Sequence, residues 1–217
     1  MKKMVFLGWL LLLFAPTVCA QEKVEAPVWN VGDKWEFSDR GTIEVLKVEK
    51  DGYVVRFSES ICIMESQGYQ SIIFDKITFQ RIYSSQEDKR KKYAMGLNRI
   101  FNFPYSLGKQ WTDGYAARPI VGPMKGRIYL DYYEKYKILG WDNITIQGGK
   151  FKALKMEVIR GHQADPVRWV PPVESKHLYW YSPDVKYFVK CEYDTNSVKE
   201  YRGEIVNWEL TSLRFKK

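Results

Sequence analysis

The sequence has 217 residues, of which 45% are hydrophobic and 16% aromatic, so it can bury a sizeable core and is too apolar for a disordered chain. Its formal net charge is +8, and charges of both signs are interleaved along most of the chain, which is typical of a solvated surface. A nucleic-acid-binding role is not favoured, because no basic helix or aromatic RNA-binding motif is present.

The first twenty residues predict a secretory signal peptide that is removed from the working protein. Two lysines, Lys2 and Lys3, precede an apolar run over residues 4–14, and Ala20 supplies the small side chain that signal peptidase accepts. The run is about half of the roughly 20 apolar residues that a membrane-spanning helix needs, so cleavage after Ala20 is favoured over an uncleaved anchor. The mature chain is then expected outside the cytoplasm, in the periplasm or secreted.

Cys19 offers an alternative fate for the leader, because bacterial lipoproteins are cut before a cysteine that is then acylated. The residue before it is Val18, which is bulkier than the glycine, alanine or serine usual at that place. Cleavage after Ala20 is therefore the prediction, and a lipoprotein anchored at Cys19 is the alternative. Removing Lys2 and Lys3 with the leader lowers the formal net charge from +8 to +6, and no later stretch is apolar enough to span a membrane.

Alternation of apolar and polar residues dominates the chain after an N-terminal linker at 21–27. This period of two is typical of strands with one buried face, and it predicts an all-β, mainly antiparallel fold in a single domain over 28–217. A curved sheet or half-barrel is the expected shape. The clearest alternating stretches are 42–49, 53–58, 128–138, 154–158, 185–193 and 206–210.

Turn residues fall where these strands would reverse direction. They occur in four places, namely Asp51-Gly52, Gly148-Gly149, Ser182-Pro183-Asp184 and Asp194 to Ser197. In the last strand, the apolar residues Leu210 and Leu213 are one position out of phase, which predicts a bulge or bend between them.

At most one short helix is expected, near residues 86–97, where helix-forming residues lack an apolar stripe and a charged loop is the alternative. The segment contains the basic run Lys89-Arg90-Lys91-Lys92. A solvated loop explains this run without any function. Weak contact with an anionic membrane surface, at about 1 kcal/mol per cation, is the functional interpretation.

A weak internal sequence repeat predicts two similar halves, 28–100 and 101–217. A Gly-x-x-Trp pattern occurs twice, 76 residues apart, in Val31-Gly32-Asp33-Lys34-Trp35 and in Leu107-Gly108-Lys109-Gln110-Trp111, and a predicted strand follows each copy. A match of this length also arises by chance, so the sequence leaves both a structural repeat and coincidence open.

Two cysteines remain after the leader is removed, Cys62 and Cys191. An oxidising compartment permits one disulfide between them, which would tie the first third of the chain to the last. The alternative is two buried thiols that behave as small hydrophobic side chains, because Cys62 lies between isoleucines and Cys191 lies on the apolar face of its strand.

The residues that enzymes and metal sites need are mostly missing. The only histidines, His162 and His177, match no zinc spacing and fit solvated loops, and no serine-nucleophile or phosphate-binding motif is present. Pairs of carboxylates such as Asp131 with Glu134 fit exposed strand positions better than a catalytic cleft. No catalytic residue, metal or cofactor is predicted, and the protein is not expected to be an enzyme.

Three aromatic residues are candidates for ligand binding. Trp169 lies in an irregular, proline-containing segment, where its ring could stack on a sugar or enter a lipid interface, or could cover one end of the sheet. Tyr179 and Tyr181 flank Trp180, and this run must place at least one ring on the outer face of its strand. Such a ring could seal a second layer or line a pocket.

Three stretches resemble a family of exported, β-rich bacterial proteins of unknown function sometimes labelled TapB-like, namely residues 103–111, 144–157 and 179–190. They match a Gly-x-x-Trp element, a Gly-x-Phe-x-Ala element and a Trp-Tyr-Ser-Pro-x-Val element. This chain departs from the family pattern with Gln147-Gly148 in place of Pro-Ala and with Lys186 in place of Gly. The resemblance implies export and a mainly antiparallel sheet, and it supplies no catalytic residues.

Two functions follow from these observations. The first is a non-catalytic interaction module of the cell envelope or of the secreted medium, with an envelope protein as its partner. The alternative is a carrier or binder of a lipid or another apolar ligand on the concave face of the sheet, which is rich in Tyr, Trp, Val and Ile. Neither function involves nucleic acid.

Overall fold

The fold is a single β-sheet. The computed structural model describes residues 22–38, 41–58, 71–79, 81–84, 92–93, 100–117, 130–162, 173–194 and 207–215. Every regular element within these residues is a β-strand, so the all-β prediction is confirmed. The strands are β1 (Lys34–Phe37), β2 (Gly41–Val48), β3 (Gly52–Ser58), β4 (Ser71–Asp75), β5 (Arg81–Ser84), β6 (Lys92–Tyr93), β7 (Gln110–Ala117), β8 (Leu130–Ile146), β9 (Gly149–His162), β10 (Val173–Ser182), β11 (Tyr187–Tyr193) and β12 (Trp208–Arg214).

All neighbouring strands in this sheet are antiparallel. Their order is β6-β5-β4-β3-β2-β1-β12-β11-β10-β9-β8-β7. The chain therefore starts in the middle with β1 and runs outward to β6 at one edge. It then continues from the opposite edge with β7 and returns to the middle with β12, so that the pairing of β1 with β12 joins the two series of strands.

Three of the four predicted reversals are confirmed. β2 and β3 form a hairpin around Asp51-Gly52, β8 and β9 turn at Gly148, and residues 183–186 join β10 to β11. The fourth, at 194–197, lies almost wholly outside the described residues.

The helix expected near residues 86–97 falls mostly outside the described part of the chain. Within that range only Lys92–Tyr93 is described, and these two residues form β6 rather than a helical turn. They pair with Ser84 and Tyr83 of β5.

The bulge predicted in the last strand is confirmed. The register between β1 and β12 shifts after Leu210, and Thr211 is the extra residue. A bulge inserts one residue into the alternation and so exchanges the faces that follow it. Leu210 is accordingly fully buried, whereas Leu213 is 37% exposed.

The sheet buries one face, here called the inner face, and the alternation in the sequence identifies it correctly. In β9, Leu154, Met156 and Val158 are buried, while Lys155 and Glu157 between them are partly exposed. Burying such side chains stabilises the fold by about 1.5–3 kcal/mol each. The opposite, outer face carries most of the charged residues of these strands.

The two predicted halves begin with the same local geometry. Gly32 and Gly108 have φ values of 87° and 76°, each in the turn that precedes β1 or β7. Side chains are strained in this left-handed region, which explains the glycine at both places. Each glycine donates its N–H to a carbonyl of the following hairpin partner, Val45 in β2 or Ile138 in β8.

The equivalence continues into the strands. Val45 and Ile138 each donate their own N–H to the residue after the glycine, at 2.9 Å in both cases. A bulge follows each of them, with Leu46 and Leu139 as the extra residues, both 38% exposed. The entries to β1 and β7 are thus built alike, and a full repeat of 28–100 and 101–217 stays a prediction.

Candidate functional site

The inner face between β7 and β12 is the candidate site, because it carries the predicted ligand-binding residues Tyr179 and Tyr181. Side chains that lie opposite one another on neighbouring strands form rows across a sheet. One row joins five strands and consists of Ile138, Met156, Tyr179, Cys191 and Trp208. All five side chains are buried, so this row is part of the core.

A polar row crosses the same face four residues away from the first row along each strand. It consists of Asp113, Glu134, Arg160 and Ser175, which lie opposite one another on β7, β8, β9 and β10. The two carboxylates are 7% and 6% exposed. Glu134 was expected to be an exposed strand residue, and this expectation is wrong, because its register places it on the inner face.

Glu134 forms an ion pair with Arg160 and accepts a hydrogen bond from Tyr136. Arg160 Nε lies 2.7 Å from one carboxylate oxygen, and the Tyr136 hydroxyl donates to the other. Burial and the charge of Glu134 raise the pKa of Tyr136, so the phenol keeps its proton and remains a donor. A buried ion pair that is hydrogen-bonded in this way is neutralised internally, which favours a structural role for it.

His177 and Ser175 form the one pair in this region that suggests nucleophilic chemistry. His177 Nε2 lies 3.1 Å from Ser175 Oγ. Burial, with a smaller effect of Arg160, lowers the pKa of His177 to about 3. The imidazole is therefore a weak base, and Ser175 is only 1% exposed. A nucleophile needs both an effective base and access to substrate, so this pair does not favour catalysis.

His177 also corrects an expectation from the sequence. It was predicted to lie in a solvated loop, but it lies in β10, and its ring packs against Tyr179 and Tyr193 at centroid distances of 6.2 and 5.2 Å. His162 ends β9, where its backbone pairs with Tyr132 and Val173. Within the described chain, no three His, Cys, Asp or Glu side chains are grouped to hold a metal ion.

Tyr179 and Tyr181 are core residues of the inner face. They are 6% and 0% exposed, and their rings pack on Phe188 at 5.6 and 5.4 Å. Burial raises the pKa of Tyr181, whose hydroxyl has no hydrogen-bond partner. Ligand binding by these rings stays a prediction. Trp169, the third candidate, lies outside the described residues.

Two segments outside the sheet lie over the inner face, and we call them the cover: residues 22–33 and 100–109. They are joined where Val24 and Tyr105 exchange backbone hydrogen bonds of 2.9 and 2.8 Å. Val24 is 6% exposed. Part of the segment predicted to be a linker, 21–27, therefore contributes to the core.

Trp29 is the most deeply buried hydrophobic residue of the first cover segment, with 1% exposure. Its indole N–H donates to the Lys186 carbonyl at 3.0 Å. Six aromatic rings surround it at centroid distances of 5.0 to 6.3 Å, namely Trp35, Tyr53, Phe74, Phe79, Phe101 and Tyr187. These rings come from β1, β3, β4, the segment after β4, β11 and the cover, so Trp29 contacts both series of strands.

The second cover segment fills the part of the inner face beside Trp29. Tyr105 is fully buried, packs on Tyr181 at 5.4 Å and donates its hydroxyl to the Ile100 carbonyl at 2.6 Å. Phe101 and Phe103 pack on each other at 6.0 Å. Sequence reasoning missed the cover, and the only signal for it was the density of aromatic residues in 101–105.

The outer face confirms the prediction made for the Tyr-Trp-Tyr run of β10. Trp180 lies on this face, and its indole N–H donates to Asp142 Oδ2 at 3.1 Å. Lys155 and Lys190, which lie opposite it on β9 and β11, place their ammonium groups 5.1 and 5.2 Å from its ring. Such cation–π contacts cover the ring, which is only 4% exposed.

One of the two cysteines that remain after the leader is removed lies within the described residues. Cys191 is buried on the inner face, opposite Tyr179 and Trp208. Cys62 lies outside the described residues, so a disulfide between Cys62 and Cys191 stays a prediction. In the described part of the chain, no helix is long and apolar enough to cross a membrane.

Solved structures of three bacterial proteins are similar to 89% of this chain. A candidate exported protein with a YmcC-like fold from Bacteroides fragilis shares 11% identity with a TM-score of 0.41, over 100% of that protein. The hypothetical lipoprotein YmcC from Escherichia coli shares 7% identity with a TM-score of 0.41, over 90% of its length. A candidate lipoprotein from Parabacteroides distasonis shares 14% identity with a TM-score of 0.38, over 100% of its length.

No family model and no curated protein matches the sequence. The TapB-like resemblance therefore stays a prediction. TM-scores below 0.5 carry no information about activity or location, so the function must be argued from the site itself.

Proposed function

We propose that the protein is an exported, non-catalytic interaction module whose inner face is permanently closed by its own cover. The supporting observation is that the four aromatic side chains of the cover, Trp29, Phe101, Phe103 and Tyr105, pack into the core on the inner face, where a carrier would hold an apolar ligand. Binding to a partner in the cell envelope then uses the surface of the sheet rather than its interior.

The size of the cover argues against the carrier alternative. A buried aromatic side chain removes about 150–250 Å² from water, which corresponds to about 4–6 kcal/mol at 25 cal/mol per Å². Displacing four such side chains would therefore cost on the order of 20 kcal/mol. A ligand recovers about 0.8 kcal/mol per buried methylene, so more than 20 methylenes would have to enter, which exceeds a single common acyl chain.

The chemistry of the inner face argues against an enzyme in the same way. In its polar row Glu134 and Arg160 neutralise each other, and the Ser175–His177 pair combines a buried hydroxyl with a weak base. A catalytic group must reach substrate in the correct protonation state. Ser175 and Glu134 are 1% and 6% exposed, so neither side chain has such access.

Export is proposed from the leader. Residues 1–20 have the charged start, short apolar run and small final residue of a cleaved signal peptide. The mature chain then begins at Gln21, one residue before the first described residue and close to the cover. A lipid anchor at Cys19 remains the alternative, and it would place the module at a membrane surface.

Native mass spectrometry of the protein purified from its own host tests this proposal. The expected native mass is that of residues 21–217 alone, and the same mass is expected after denaturation. The denatured sample is the matched control, because it reports covalent changes and releases any bound molecule. A lipid-sized adduct that is present in the native spectrum and lost on denaturation would contradict the module and support the carrier.

A further inference from the structure

Among the described strands, β7 lies at an edge of the sheet, whereas its counterpart β1 does not. β1 pairs with β2 on one side and with β12 on the other. Among the described strands, β7 pairs with β8 alone. Because the entries to β1 and β7 share the same glycine turn and the same two backbone hydrogen bonds, the open side of β7 corresponds to the side of β1 that binds β12. This side is thus of a kind that accepts an antiparallel strand.

The direction of the backbone amides in β7 can be read from Gly114. Its N–H donates to its neighbour's carboxylate, Asp113 Oδ1, at 3.0 Å, and so points away from β8. Amide groups alternate in direction along an antiparallel strand. The N–H groups of Thr112 and Ala116 therefore also point to the open side, where a further strand could accept them.

The composition of β7 offers little protection against such pairing. Natural edge strands are usually short, bulged, or marked by lysine, proline or an inward-pointing charge. β7 has eight residues, an unbroken register with β8 and neither lysine nor proline, and Asp113 is its one inward-pointing charge. The other edge of the sheet, β6, has only two residues. Of the two edges of the described sheet, β7 is therefore the one whose counterpart in a second copy offers a partner of equal length.

We propose that β7 pairs with β7 of a second copy of this chain, antiparallel about a twofold axis, so that two sheets become one. A twofold contact uses the same surface on both protomers and closes on itself. The register that places Gly114 opposite Gly114 of the second copy pairs Thr112 with Ala116 through the amides that point to the open side, and it sets Asp113 opposite Tyr115, so the two aspartates do not face each other. This inference rests on the proposed role as an interaction module and names the partner as a second copy.

Thr112→Pro tests the proposed pairing of β7 with β7 by removing one backbone N–H from the open side of the strand. Proline removes the N–H of Thr112, which points away from β8, and is tolerated in edge strands for that reason. Thr112→Val keeps the N–H and the branched side chain and is the matched control. Because both protomers carry the substitution, the dimer loses two hydrogen bonds, and its affinity should fall by about tenfold to a hundredfold.

Analytical ultracentrifugation of the mature chain, residues 21–217, measures this affinity over a range of protein concentrations. Wild type and Thr112→Val should show the same concentration-dependent dimer, and Thr112→Pro should be the weaker. Far-ultraviolet circular dichroism checks that all three proteins are folded. A wild type that stays monomeric throughout, or a dimer that Thr112→Pro leaves unchanged, overturns the proposal.

Amide hydrogen exchange of the wild type keeps the test decisive if Thr112→Pro does not fold. The amides of Thr112 and Ala116 should exchange more slowly at high protein concentration than at low concentration, while those in the middle of β9 should not change. Equal exchange at both concentrations overturns the pairing. None of these results bears on the closed inner face, which native mass spectrometry tests by itself.

Discussion

Replacing Trp29 by alanine tests whether the cover belongs to the core. Trp29 is 1% exposed and lies among six rings, so the substitution leaves a large cavity. Removing a buried Trp or Phe side chain costs about 3–5 kcal/mol, and the unpaired Lys186 carbonyl adds about 1 kcal/mol. We expect the free energy of unfolding to fall by roughly 4–6 kcal/mol, which is a large part of the stability of a typical domain.

Urea unfolding of the chain 21–217 measures this loss. Far-ultraviolet circular dichroism is the suitable signal, because the substitution itself removes a fluorescent residue. Val28→Ala is the matched control, since Val28 is the neighbouring residue and is 67% exposed. The control should change the free energy of unfolding by less than about 0.5 kcal/mol.

Added indole provides a second readout on the Trp29→Ala variant. A ligand that fills the cavity of the folded state stabilises it by mass action, so indole should raise the urea midpoint of the variant and leave that of the wild type unchanged. A loss of stability similar to that of Val28→Ala, with no effect of indole, would show that the cover is not part of the core and would refute the reasoning.

Three further predictions concern the inner face and its hairpin. Glu134→Gln should lower the free energy of unfolding by about 3–5 kcal/mol, because it leaves Arg160 as a charge without its buried partner. Burial lowers the pKa of His177 to about 3, so below about pH 6.5 the unfolded chain binds a proton at this residue and the native state does not. The free energy of unfolding should therefore fall by about 2 kcal/mol between about pH 7 and about pH 5. Gly148→Ala should cost about 1–3 kcal/mol, because a Cβ there would lie 2.7 Å from the Leu210 carbonyl oxygen. Urea unfolding at each condition measures all three.

Each of these predictions has a control in the same chain. Glu157→Gln breaks the partly exposed pair with Lys176 and should cost less than about 1 kcal/mol. His177→Phe should remove the slope between neutral and mildly acidic pH, and a slope that persists in this variant would assign the effect to other groups. Gln147→Ala, at the exposed residue beside Gly148, should change stability by less than about 0.5 kcal/mol.

Strand alternation predicted much of the sheet, because a period of two follows directly from burial on one face. It identified Leu154, Met156 and Val158 as core residues, and the phase change between Leu210 and Leu213 located the bulge in β12. It did not predict the strand order, since the pairing of β1 with β12 joins residues far apart in the chain and depends on contacts that a local pattern does not contain.

The polar row was overlooked although its signal is present in the sequence. Glu134 occupies the apolar phase of β8, two residues before Tyr136, and Arg160 occupies the apolar phase of β9, two residues after Val158. Charged residues in the buried register of two neighbouring strands predict a buried ion pair, because each compensates the other. Such an interruption of an alternating pattern could have identified the pair.

The cover could not be predicted in the same way. Residues 22–33 and 100–109 are irregular, so no periodicity marks their buried side chains, and 21–27 has the appearance of a linker. The backbone pairing of Val24 with Tyr105 and the packing of Trp29 on Phe101 join the two segments, and both depend on the folded sheet.

Native-state hydrogen exchange at Val24 and Tyr105 tests the closed inner face most directly. Their amides bond to each other's carbonyls at 2.9 and 2.8 Å and exchange only when the cover leaves the sheet. If the cover is part of the core, both amides should exchange with the free energy of global unfolding measured in urea. If both amides exchange through a local opening of far lower free energy, while those in the middle of β9 stay protected, the cover is a movable element and the account of a permanently closed face is contradicted.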